Sequence, residues 1–224
     1  MLKKISTADQ TETYLNETVG ESYHSQTGAV EEAFKKYAIP CKIKELAKEG
    51  KIRILDICFG IGYNSAAAID KALEENPQCQ IEMIGLENDL EIINKINEIN
   101  PPFLNYWRIK KLTTDLNNSE LISTDQQIKI KVLVGDARER IKELNDNYFD
   151  AVFLDPFSPK TSPEMWQLPF FKEIYRVIKI DRVLATYTCA RLARDNMKAA
   201  GFVYDDGPIV GRRGPGTIAT KWDI

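Results

Sequence analysis

The sequence has little that could bind a metal or cross a membrane. Among its 224 residues there is one histidine, His24, and four cysteines, Cys41, Cys58, Cys79 and Cys189, no two of them at metal-clip spacing. That argues against a zinc site and leaves no Cys–His pair for nucleophilic catalysis. No run of about 20 apolar residues occurs, so no segment is expected to span a bilayer. The start, MLKKISTADQTETY, lacks the apolar core of a secretory leader. A cytoplasmic monomer with reduced cysteines and no metal is the simple expectation. An overwhelming charge of one sign is missing too. The net charge is −3, with 28% charged and 43% hydrophobic residues. That is the balance of a soluble globular chain, neither a disordered tail nor a general nucleic-acid coat. The signs are unevenly placed, however. Residues 1–100 hold 11 Lys and Arg against 17 Asp and Glu, and the remainder 19 against 16. The stretch 207–222 carries Arg212, Arg213 and Lys221 with no acid. An acidic protein can therefore present one basic face to a polyanion.

What is present is alternation. Val30, Ala33, Phe34, Tyr37 and Ala38 recur at helical spacing, Glu31–Lys35 and Glu32–Lys36 are i,i+4 pairs, and Pro40 stops the pattern, so a helix is expected over 28–38. From residue 51 short apolar runs take turns with helical patterns. Strands are expected at 52–58, 81–87, 130–136, 151–155 and 183–189. Helices are expected at 63–75, 89–98, 137–144, 168–179 and 190–200, the last closed by Gly201. FVYDD (202–206) and GTIATKW (216–222) read as a terminal hairpin. The fold class that follows is α/β, a mostly parallel sheet with helices on both faces and an antiparallel end. Residues 1–50 form an extension, 51–224 the main domain, and 99–127 break the rhythm as an insertion and candidate flap.

In such sheets ligands lie beyond the carboxyl ends of the strands, and the informative residues sit there. LDICFGIGYN (55–64) joins a strand to a helix, with Gly60 and Gly62 allowing a tight turn and close backbone approach. Ser65 stands where a dinucleotide fingerprint needs glycine. The loop is nearer the acidic-residue and spaced-glycine turn of Rossmann-like methyltransferases, with Cys58 in place of the first glycine. Glu87, 25 residues after Gly62, is placed to accept both hydroxyls of a ribose. GDAR (135–138) puts Asp136 and the amide of Ala137 where an adenine edge could bind, and Asp136 equally suits a helix N-cap. FLDPFSPKTSPEMW (153–166) offers Asp155, a carboxylate able to take an N–H and orient a nitrogen lone pair. It also offers Phe157, a ring on which a base could stack. His24 reads as a surface or packing residue, with Tyr23 and Ser25 nearer the ligand. Arg212 and Arg213, between two glycines, are candidate phosphate contacts, and Arg191, Arg194 and Lys198 at helical spacing extend them.

The chain resembles the methyltransferase domain of the bacterial tRNA 5-methylaminomethyl-2-thiouridine biosynthesis (MnmC-type) family. The resemblance runs from about residue 20 onward. It is carried by FDAVFLDPFSPKTSPEMW, LATYTCARLARDNMKAAGF and GRRGPGTIATK, with YHSQTGAVEEAF and FGIGYN in support. It implies a class I Rossmann-like fold, S-adenosyl-L-methionine as cofactor, and N-methylation of a 5-aminomethyl-uridine, with or without the 2-thio group, at the wobble position of tRNA. FGIGYN (with Asn64) and Glu87 would hold the cofactor, Asp136 the adenine, and Asp155 the cofactor as well as the reacting centre. The tRNA partner would be engaged through its anticodon stem-loop. Two departures stand out. The familiar bifunctional enzymes continue into an FAD-dependent oxidase domain, so this chain is expected to be a stand-alone methyltransferase. The familiar loop often reads Asp-Gly-Phe-x-Pro, whereas here Pro156 replaces the glycine and removes a backbone donor. Two rival readings share the sequence features: a polyamine-type aminopropyltransferase on the same fold, and a non-catalytic tRNA-binding module.

Overall fold

The computed structural model describes residues 1–115 and 119–222. Residues 116–118, within the expected insertion, and 223–224 lie outside that description.

Residues 1–22 form a three-stranded antiparallel meander, β1 (Leu2–Ser6), β2 (Glu12–Asn16) and β3 (Glu21–Ser22). Helix α1 (Ala29–Glu32) continues as a π-helix over Ala33–Ala38, and a second short helix, α2 (Ile43–Ala47), follows the turn at Pro40. Both i,i+4 pairs form, Lys35 to Glu31 on the surface and Lys36 to Glu32 in the interior.

The main sheet has nine strands. In chain order they are β4 (Lys51–Ile57), β5 (Gln80–Glu87), β6 (Thr113–Asp115), β7 (Glu120–Thr124), β8 (Ile128–Val134), β9 (Phe149–Leu154), β10 (Ile178–Thr186), β11 (Phe202–Asp206) and β12 (Thr217–Lys221). Across the sheet they run β11-β12-β10-β9-β4-β5-β8-β7-β6. The five central strands pair in parallel; both margins are antiparallel. The connections are α3 (Tyr63–Glu75), α4 (Leu90–Asn94), α5 (Tyr106–Ile109), α6 (Ala137–Arg140), α7 (Leu168–Val177) and α8 (Arg191–Ala199). Order reverses at β4, where β5 leaves to one side and β9 to the other. That is the switch point at which α/β sheets open a crevice.

The central strands are buried on both faces, as parallel strands must be. In β4, Ile52 and Ile54 enter one apolar layer while Leu55 and Ile57 enter the other. The first layer packs under α3, whose buried face is mostly alanine (Ala66, Ala67, Ala68, Ala72), so helix and sheet approach closely. The second packs under α7 and α8 and is filled by Trp166, Phe170 and Phe171.

The segment 99–127 is a wall and a sheet margin. Phe103, Tyr106 and Ile109 are buried, the Tyr106 hydroxyl donates to the Ile61 carbonyl at 2.7 Å, and β7 pairs with β8. Among the described residues none of 99–127 borders the large cavity. This position corrects the expectation of a flap: its apolar side chains turn toward the back of the glycine loop, away from the strand ends.

Candidate active site

A cavity of about 710 Å³ opens at the carboxyl ends of β4, β5, β8 and β9, a size suited to a nucleoside-bearing ligand. Its floor is the turn after β4. Cys58, Gly60 and Gly62 all take positive φ, 64°, 56° and 77°. Cys58 thus stands in a left-handed position that favours glycine. Gly62 has a second constraint: a Cβ there would lie 2.8 Å from the Phe59 ring. The ring fills the space under the turn and holds α3 in place behind it.

Three carboxylates sit at successive strand ends. Glu87 ends β5 and is buried. Its Oε2 accepts the Gly60 amide at 2.8 Å, and its Oε1 accepts the Asn88 and Asp89 amides, each at 2.9 Å. Burial nevertheless raises its pKa above the usual carboxylate range. Asp136 follows β8 and does what an N-cap does, accepting the Arg138 amide while also pairing with the Arg138 side chain. Asp155 follows β9. Its Oδ1 accepts the Tyr37 hydroxyl at 2.5 Å and its Oδ2 the Asn64 amide group at 2.9 Å. Burial, followed by the negative charge of Glu32, pushes its pKa up to about 7. A carboxyl group so poised exchanges a proton near neutrality.

The opposite wall comes from the N-terminal segment. Tyr23 and Ser25 border the cavity, and the Tyr23 hydroxyl donates to Asp89 at 2.7 Å. Phe157 meets Tyr23 edge to face, centroids 5.1 Å apart. His24 is a packing residue: it is buried, hydrogen-bonded to Thr13 at 2.8 Å and stacked on Tyr63, and burial lowers its pKa to about 4.

The structure therefore brings Tyr23, Ser25, Gly60, Asn64, Glu87, Asp136, Ala137, Asp155, Phe157 and Arg212 around one cavity. Gly62 lies just behind it as the left-handed residue that opens α3. The other basic candidates are elsewhere. Arg191 is exposed with Asp195 beside it, and Lys198 and Arg213 are exposed. Arg194 does not belong to a free basic patch. Its guanidinium donates to Thr217 Oγ1 at 2.9 Å, to Asp206 at 2.6 Å and to the Gly216 carbonyl, tying α8 to the terminal hairpin. Helical spacing alone could not distinguish such a clamp from a phosphate contact.

Four residues enter the site without having been singled out in the sequence: Glu21, Lys36, Tyr37 and Tyr187. Glu21 on β3 accepts the Ser158 amide at 2.9 Å and the Ser158 hydroxyl at 2.5 Å, and also the Thr161 hydroxyl. It thereby anchors the loop that carries Phe157. Tyr187 lies under Arg212, 5.4 Å from ring centroid to guanidinium. Glu32 and Lys36 did carry a sequence signal, their i,i+4 spacing, but it read as a surface helix pair.

A family model described as S-adenosyl-L-methionine-dependent methyltransferase matches residues 101–222, more than half of the chain. The chain belongs to this methyltransferase family. It is similar over its whole length to the crystal structure of MNMC2 from Aquifex aeolicus, with 34% identity and a TM-score of 0.86. That match covers 98% of this chain and 70% of that one. The uncharacterized protein MJ0670 of Methanocaldococcus jannaschii is 33% identical over 97% of this chain and 59% of its own length. The tRNA 5-methylaminomethyl-2-thiouridine biosynthesis bifunctional protein MnmC of Leptospira interrogans is 28% identical over 71% of this chain and 26% of its own. The methyltransferase thus spans about a quarter to three fifths of the curated relatives it matches first. A spermidine synthase from Thermotoga maritima, at 14% identity and TM-score 0.60, shares the fold alone.

S-adenosyl-L-methionine is the cofactor of this family, and the cavity of the methyltransferase fits it. The turn at Gly60 leaves backbone room, because even a Cβ at Gly60 would only touch the Tyr23 ring at 3.4 Å. The carbonyl oxygen of the Asn64 side chain is buried without a protein partner, the kind of acceptor an ammonium group satisfies. Among the described residues no helix is long and apolar enough to cross a membrane, and no cluster of potential metal ligands occurs.

Proposed function

We propose that this methyltransferase transfers a methyl group to the amine of a 5-aminomethyl-uridine, with or without a 2-thio group, at the wobble position of tRNA. The observation that carries the reading is Asp155, a half-buried carboxyl at a strand end whose two oxygens are held by Tyr37 and Asn64, poised near neutrality and facing the cofactor cavity. The cofactor supplies an electrophilic methyl on a sulfonium. An ammonium group cannot attack it, so one proton must leave before the lone pair can align. Asp155 would take that proton first; the freed lone pair would then form the N–C bond as the S–C bond breaks, leaving a secondary ammonium, the neutral thioether and a protonated Asp155 that returns its proton to solvent. Tyr37 and Asn64 hold its two oxygens in one orientation, which supplies the in-line geometry this displacement needs. Phe157, braced edge to face by Tyr23, offers the flat apolar surface for the base.

The remaining assignments follow the cavity wall. Glu87 is placed for the ribose hydroxyls, Asp136 and the Ala137 amide for the adenine, and Tyr23, Ser25, Gly60 and Asn64 for the amino-acid tail. Gly62 shapes the turn they depend on. Arg212, at the rim, is placed for an RNA phosphate, and exposed Arg191, Lys198 and Arg213 can add sequence-independent attraction. The anticodon stem-loop would seat the flipped or splayed uridine. The role of the MnmC relatives in tRNA 5-methylaminomethyl-2-thiouridine biosynthesis supports this reading, and the chain covers only part of their length.

The test uses labelled S-adenosyl-L-methionine and tRNA from cells lacking this gene, followed by digestion and mass identification of the labelled nucleoside. Label on 5-methylaminomethyl-uridine is expected. Label on any other nucleoside rejects the substrate, and spermidine formed in a parallel assay with putrescine and the decarboxylated cofactor, with no label in RNA, rejects the reaction class.

A further inference from the structure

Lys36 has no part in the reaction as described above, yet it lies on the cavity wall with its side chain 2% exposed. Its Nζ donates to Glu32 Oε1 at 2.5 Å. The other oxygen of Glu32 accepts the Ser25 amide at 2.7 Å. The carboxylate is thus held from two sides. The ammonium has three N–H groups and, among the described residues, this one protein partner. Burying an ion pair costs desolvation that its own attraction does not reliably return. A buried cation that keeps donors toward a ligand cavity points to a ligand acceptor.

The neighbours say which acceptor. The next residue, Tyr37, donates to Asp155, and Lys36 and Asp155 border the same cavity. The wall therefore presents a donor beside an acceptor. A 5-aminomethyl-uracil presents the reverse: the amine on C5 donates, and the carbonyl oxygen on the adjoining C4 accepts. We propose that Lys36 receives the C4 carbonyl oxygen of the substrate base while Asp155 receives its amine. The proposal rests on the substrate reading given above. Two points of contact fix the base and the swing of the aminomethyl arm together. They also make the site specific for uracil over cytosine, whose C4 amino group would point a donor at a buried ammonium.

The experiment compares anticodon stem-loop RNAs carrying 5-aminomethyl-uridine or 5-aminomethyl-cytidine with wild type, Lys36→Met and the double variant Glu32→Gln/Lys36→Met. The double variant leaves no lone buried charge, which keeps the test open if the single variant does not fold. Wild type is expected to favour the uridine RNA by roughly 100-fold in kcat/KM. The variants should lose roughly 10- to 100-fold on uridine and little on cytidine, so that the preference collapses. Cofactor affinity by calorimetry should stay within about two-fold. A preference that survives in the folded variants overturns the proposal, and so does a loss that falls on cofactor affinity instead. Wild-type failure on the uridine RNA overturns the substrate reading itself, and this proposal with it, before any variant is made.

Discussion

Burial and hydrogen bonding pull on Asp155 in opposite directions. Burial and the charge of Glu32 favour the neutral acid, while Tyr37 and Asn64 donate to the ionised form, and the pKa is left at about 7. As a proton acceptor it must be ionised, so the rate should rise with pH through about 7 and then level. Tyr37→Phe removes a donor that favours ionisation, so its acid limb should move to higher pH; a pH–rate profile under saturating cofactor checks both. Asp155→Ala should lower kcat by roughly 10²- to 10⁴-fold with cofactor affinity little changed. His24 gives the stability counterpart. Its folded pKa of about 4 lies below the ordinary 6.5, so the unfolded chain binds the extra proton between those values. Its contribution is complete above about 6.5 and is lost as the pH falls toward 4. Relative to His24→Gln, wild type should therefore lose stability on the order of 3 kcal/mol across that window, measured by denaturant titration at each pH.

In two elements one side chain gathers several hydrogen bonds. Glu21 takes three donors from the loop after β9. Glu21→Ala leaves them without their acceptor, so hydrogen exchange at the Ser158 amide should speed up. The KM for RNA should rise more than cofactor affinity falls, because the loop holds Phe157 and not the glycine turn. Arg194 acts likewise on the terminal hairpin. Arg194→Ala should cost about 1–3 kcal/mol of stability and leave the salt dependence of RNA binding unchanged. The glycine turn behaves as a packing unit. A Cβ on Gly85 in β5 would meet the Phe59 ring at 2.6 Å, so Gly85→Ala should destabilise by about 1–3 kcal/mol through overpacking, read as a lower Tm.

At the scale of the whole molecule, replacing Arg212 and Arg213 together by alanine should flatten the slope of log affinity against log salt by roughly one to two units if both touch phosphates. The sheet was legible because its central strands are short apolar runs separated by turn residues and helical patterns: the helix over 63–75 coincides with α3 and the strand FVYDD with β11. The carboxylates at strand ends were legible for the same reason, since a strand end can be located along the chain. What resisted was anything set by the third dimension. The meander of residues 1–22 is short, and its paired strands LKKIS and ETYLN do not alternate strictly between buried and exposed, so their periodicity is faint. Glu21 carried no signal along the chain, and Lys36 only that of a helix pair, until the fold brought Ser158 to one and a cavity wall to the other. Arg194 looked like a free cation until the hairpin closed on it.

The N-terminal segment, meander and following helix together, also dictates when the site comes into being. The Tyr37–Asp155 and Glu21–Ser158 hydrogen bonds join residues 118 and 137 positions apart. Contacts so remote in sequence close late, after local helices and neighbouring strands have formed. A refolding chain should regain its helical circular-dichroism signal well before it regains a saturable affinity for cofactor. The first wall to leave the ribosome thus waits for the rest of the chain to be made.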